Sequence, residues 1–190
     1  MLISNSVIAG FLIGIGVLIS TLTKDPILGA FLFSFGLLTI IELKLPLFTG
    51  QIGFAKEKKW SDLLKILLFN LLGITICFFI CFKPNLFSVM QDKSFYKFNK
   101  NYLTLFCDAF TCGALIHFAV KCKQKLMTVM AVVIFILVGA EHCIADFPYL
   151  LLNWSWINLF KYGIIIIGNS IGALFIEMLS SKGDDQKEIE

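Results

Sequence analysis

Apolar runs of roughly membrane-crossing length follow one another along nearly all of this 190-residue chain. Crossing the hydrocarbon takes roughly 20 helical residues. The runs at 4–22, 27–41, 63–82, 102–120, 126–138 and 157–179 reach or approach that length. In lipid the backbone must satisfy its own hydrogen bonds, so the runs read as helices. The expected fold is therefore an all-α membrane protein with six transmembrane helices in a single domain, 1–180. A disordered cytoplasmic tail is expected at 181–190. A water-surrounded core does not fit a chain that is 58% hydrophobic with 20 Phe. The first run shows no leader-type cleavage site and is expected to be retained as a span.

All 16 basic residues are Lys and none is Arg. Planar, bidentate recognition of phosphate or carboxylate is therefore not expected, although a Lys can attract an anion as a point charge. A net charge of +3 carries no nucleic-acid signal. Of the six cysteines, Cys77 and Cys81 lie one helical turn apart, but no second pair has zinc-like spacing. They read as small buried hydrophobes, and no metal or cofactor is expected. Six spans put both termini on one side. The lysines at 56–65, 121–125 and 182–187 share that side and outnumber those opposite, so the termini are expected to be cytoplasmic. Lys93, Lys97 and Lys100 cluster on the outer side, where they would attract anions.

Two apolar runs are interrupted late. In the first half, Glu42-Leu43-Lys44-Leu45-Pro46 leads to Leu47-Phe48-Thr49-Gly50, and Pro46 removes a backbone donor. In the second, Gly139 is followed by Ala140-Glu141-His142-Cys143-Ile144-Ala145-Asp146. Ionisable groups at membrane depth are costly and suggest a solute path. Broken backbone there is tolerated only against protein or a wet cavity. Each half has three spans with its second helix broken, so the halves form two inverted three-helix repeats. Paired breaks of this kind are a sequence pointer to a solute site near the midplane.

The chain resembles the formate/nitrite transporter family. The resemblance rests on Asn5-Ser6-Val7-Ile8-Ala9-Gly10, Leu47-Phe48-Thr49-Gly50, Cys107-Asp108 with Cys112, Glu141 to Asp146, and Gly168-Asn169-Ser170-Ile171-Gly172. It implies an aquaporin-like protomer in a homo-pentamer, a multi-pass protein of the inner (plasma) membrane surrounded by lipid. It further implies passage of a small inorganic or one-carbon monovalent anion. Carried over by motif, Thr49 and His142 face each other at the pore centre. Leu47 and Phe48 form the inner constriction, and Phe33, Leu37 and Phe135 the outer one. Lys93 is the vestibule lysine with Lys97 a second candidate, and Asn169 supports the loops. The sequence departs from the family where Asp108 replaces an Asn and where Gly73-Ile74 replaces a Gly-Asn. The link from Gly50 to Trp60 is also short.

A greasy constriction blocks a bare anion because dehydration is too costly. The function expected is therefore a channel or proton-linked transporter that passes formate, nitrite or hydrosulfide as the neutral acid. The alternative is a non-transporting scaffold that keeps the fold. His142 acts as a proton relay or only as a neutral hydrogen-bond donor. Asp108 is expected to pair with Lys93 or a neighbour, and Glu141 to take up freed backbone donors. His117 reads as an interfacial or core residue. An enzyme is not expected.

Overall fold

The computed structural model describes residues 1–81, 84–122 and 124–187, without the side chains at 84–85 and 182–187. Lys83 and Lys123, both counted in the charge balance, and tail positions 188–190 lie outside the described residues. All regular structure among the described residues is helical. The order is α1 (Leu2–Leu22), α2 (Pro26–Glu42), α3 (Phe48–Gln51) running into a 3-10 turn (Ile52–Phe54), and α4 (Trp60–Cys81). Then come α5 (Pro84–Phe98), α6 (Tyr102–Cys122), α7 (Lys125–Leu137), α8 (Cys143–Leu152) and α9 (Trp156–Lys187). The last helix continues through Lys187, into the stretch expected to be a tail. A further helix, α5, occupies what reads in sequence as a polar connection.

By length and composition, four of the described helices can cross a membrane: α1, α4, α6 and the Trp156–Ser181 part of α9. The two interrupted runs give instead the shorter α2 with α3, and α7 with α8. Both first pieces end in the same way. At the end of α2, Leu45 N donates to Ile40 O (2.9 Å) and Lys44 N to Ile41 O (3.1 Å). At the end of α7, Ala140 N donates to Phe135 O (2.9 Å) and Gly139 N to Ile136 O (3.1 Å). This is the Schellman arrangement, which needs a left-handed residue after the helix. Lys44 (φ 53) and Gly139 (φ 73) supply it.

Helix α1 packs on α4 and α2, α6 packs on α9 and α7, and α2 meets α7 between the two groups. Small residues set the close approaches. A Cβ on Gly10 would lie 1.9 Å from Asn70 O, and one on Gly113 would lie 2.0 Å from Asn169 O. Backbone atoms cannot yield as side chains do. Gly10→Ala or Gly113→Ala should therefore destabilise by on the order of 3 kcal/mol, the overpacking cost. Gly163, with nothing within 4 Å of its Cβ position, is the control. Melting temperatures in detergent check this, with Gly163→Ala expected near or above the parent.

Candidate functional site at the two helix breaks

Each break exposes backbone groups that have no helical partner, and one buried asparagine answers for each break. Asn70, on α4, accepts from Phe48 N (2.8 Å) through Oδ1. Its Nδ2 donates to Ser6 O (2.8 Å) and Pro46 O (3.0 Å). Asn169, on α9, accepts from Cys143 N (2.8 Å), and its Nδ2 donates to Ala109 O (2.7 Å) and Glu141 O (2.8 Å). Both side chains are fully buried. Every asparagine bond goes to backbone, as a break at membrane depth requires. The sequence reading named Asn169 and missed Asn70. Its signal was a lone Asn three residues before Gly73, inside an apolar run.

So held, the tips of the two breaks meet. Thr49 Oγ1 lies 2.9 Å from His142 Nε2, and both residues are buried. His142 is also the N-cap of α8, where its Nδ1 accepts from Ala145 N (3.1 Å). A ring nitrogen that accepts carries no proton, so the neutral tautomer has its hydrogen on Nε2, pointing at Thr49. Phe135 stacks on the imidazole (centroids 6.2 Å) and meets Phe33 edge-on at 5.7 Å.

Two cavities reach these tips. One, of about 180 Å³, is lined by Phe33, Phe135, His142, Asp146, Lys93 and Lys97 among others. The other, of about 640 Å³, includes Leu47, Gly50 and Gln51 in its wall. Leu37 and Phe48 are buried but line neither cavity. His117, buried on α6, places Nδ1 3.4 Å from Gly50 O and Nε2 2.7 Å from Glu177 Oε2.

The smaller cavity has a charged rim. Lys97 on α5 bonds to Glu141 and lies 2.9 Å from Asp146 Oδ1. Lys100 lies 2.6 Å from Asp108 Oδ2 and 2.7 Å from Glu141 Oε1. Burial works against the Lys97 charge, but Asp146 and Glu141 outweigh it and hold its pKa above the ordinary lysine value. One expectation changes here. The carboxylate of Glu141 takes lysines rather than freed backbone donors, because Asn169 already serves the break. Asp108, expected to pair with Lys93 or a neighbour, pairs with the neighbouring Lys100. Lys93 makes no ion pair among the described residues, yet it lines this cavity and the adjoining one outside it. Desolvation, then the neighbouring Lys97, lowers its pKa.

The fold is similar to solved channel structures. A pentameric formate channel with formate bound superposes with a TM-score of 0.74 at 18% identity, covering 100% of this chain and 97% of that one. An FNT family ion channel gives a TM-score of 0.68 at 20% identity, covering 92% and 84% respectively. No curated protein sequence matches the chain. The family description "Formate/nitrite transporter" matches residues 1–182, nearly the whole length. By that match the chain belongs to the formate/nitrite transporter family, and it is a multi-pass membrane protein.

Proposed function

We propose that the protein is a channel or proton-linked transporter for small monovalent anions of weak acids, formate, nitrite or hydrosulfide, which cross as the neutral acid. The observation that carries this is the Thr49–His142 bond, which joins two helix breaks, one bordering a cavity at His142 and the other a cavity at Leu47 and Gly50. In this reading the chain crosses the plasma membrane six times as two inverted three-helix repeats, with cytoplasmic termini. Five protomers assemble, each with its own pore, like the pentameric formate channel that it resembles.

Lys93, which pairs with no carboxylate among the described residues, concentrates the anion at the mouth. Phe33 and Phe135 then exclude the hydrated ion, because a ring-lined gap returns none of its hydration energy. At the centre a solute meets the Nε2–H of a neutral imidazole. Protonating His142 would set an Nδ1–H against the Ala145 N–H that already points there. The geometry therefore favours the neutral donor over the relay.

Uptake of labelled formate, nitrite and hydrosulfide into proteoliposomes, across imposed pH gradients, tests the reading. Saturating or steeply pH-dependent uptake is expected for at least one of them. Failure of all three in a folded oligomer would favour a non-transporting scaffold. Lys93→Ala should lower uptake by about tenfold at low ionic strength, the scale of electrostatic focusing. That difference should shrink as salt screens the mouth.

A further inference from the structure

The transport reading needs a proton at the mouth, and His142 in this tautomer has none to spare. The same cavity holds another candidate. Asp146 is 2% exposed and lines the cavity wall, with Oδ1 on Lys97 and Oδ2 without a hydrogen-bond partner among the described residues. Glu141, fully buried, has its Oε1 likewise without a hydrogen bond of good geometry, although Lys100 lies close. The two carboxyl groups share one ammonium, that of Lys97, which bonds Glu141 Oε2 and lies 2.9 Å from Asp146 Oδ1. Two carboxylate oxygens cannot bond as acceptors alone, and like charges this close do not both ionise in a buried site. One proton between them satisfies both at once.

The surrounding charges agree. Lys97 and Lys100 face this pair, and Asp108 shares Lys100. Near Asp146 there are also the His142 ring and the Cys112, Cys143, Tyr149 and Tyr162 side chains, thiols and phenols whose ordinary pKa values leave them uncharged at neutral pH. If all three carboxyls were ionised, they would outnumber the two paired lysines and leave a net negative charge across an anion path. With one proton shared, the paired charges cancel, leaving Lys93, which lines both cavities, and Asp92, which lines the outer one.

We propose that Glu141 and Asp146 hold one shared proton at this mouth and hand it to the entering anion. In the step, the carboxyl O–H breaks and an O–H or S–H bond forms on the anion. The neutral acid moves on toward Thr49 and His142. The carboxylates left behind rest against Lys97 and Lys100 until a proton from the bathing water restores the pair. This hand-over rests on the transport reading, whereas the shared proton does not.

Infrared spectroscopy of the reconstituted protein at neutral pH reads the proton directly. A protonated-carboxyl C=O band that shifts in D2O is expected, and it should vanish in both Asp146→Asn and Glu141→Gln. Its absence from the parent protein, or its persistence in both variants, overturns the shared proton. Two variants keep the test sound if one of them fails to elute as a folded oligomer. Formate uptake reads the hand-over. Asp146→Asn should slow it at least about tenfold at neutral external pH, the lower end of what a positioned acid contributes less one decade. In an acid medium, where formic acid itself arrives, the difference should disappear. Equal uptake at neutral pH overturns the hand-over. If the parent carries no formate but shows the band, the transport reading and hand-over fall together and the shared proton stands.

Discussion

Asn169→Leu is expected to unfold the second break and to leave little or no folded oligomer in detergent. The substitution keeps side-chain volume but removes three hydrogen bonds in a fully buried site, orphaning Cys143 N and Glu141 O at the break, while Ala109 O inside α6 keeps its helical partner. Each buried backbone group left without a partner costs about 1–3 kcal/mol and the third bond about 1 kcal/mol more, so the sum is on the order of 3–7 kcal/mol. That approaches the whole stability of a typical domain, about 5–15 kcal/mol. Asn70→Leu should behave alike, since Phe48 N, Ser6 O and Pro46 O lose the same kind of partner. Asn158, whose Nδ2 donates to the single carbonyl of Asn153, is the contrast. Its Leu variant should lose only about 1 kcal/mol, one hydrogen bond's net worth. Thermal melts followed by size-exclusion chromatography measure all three. A melting temperature for Asn169→Leu equal to that of Asn158→Leu would show that the clamp does not hold the break.

The helices and both breaks could be read from sequence because membrane length and backbone chemistry act locally. Pro46 and Gly139 mark the interruptions within a few residues, and Asp25-Pro26 marks a start, with Asp25 Oδ1 capping Leu28 N at 2.7 Å. Partner choice was harder to read. Lys93, Lys97 and Lys100 lie within eight residues of each other and look equivalent as a basic connection. Their roles separate only when α5 lies against α8, which turns Lys97 toward Glu141 and Asp146. Asn70 was overlooked for a related reason. The family pattern has an Asn directly after Gly73, whereas in this chain the clamp sits one helical turn before that position, at Asn70. The conversion of a polar connection into α5 is likewise tertiary, since its sequence is only weakly amphipathic and its order comes from contacts such as Ser94 Oγ to Tyr149 O (2.6 Å).

His142→Asn should separate the two roles open to the ring. An asparagine at an N-cap can still accept from the helix, so the bond to Ala145 N is replaced and the fold cost stays within about 1 kcal/mol. Its shorter side chain does not present a donor where Nε2 now meets Thr49. A solute at the centre then loses one hydrogen bond in a water-poor lumen, and a barrier raised by about 1.4 kcal/mol slows passage tenfold. Formate uptake should thus fall by about an order of magnitude. Its dependence on external pH should keep its shape, because a ring that is neutral throughout contributes no titration. If the profile flattens instead, the imidazole was supplying the proton and the neutral-donor assignment is wrong. Thr49→Val supplies the other arm. It leaves the Nε2–H without its acceptor while preserving shape, and should reduce uptake by a similar factor. The double variant should be little worse than either alone, since groups that share one bond do not add. Additive losses would mean that Thr49 and His142 act on the solute at separate points, and the single bridging contact would not be the centre of the path.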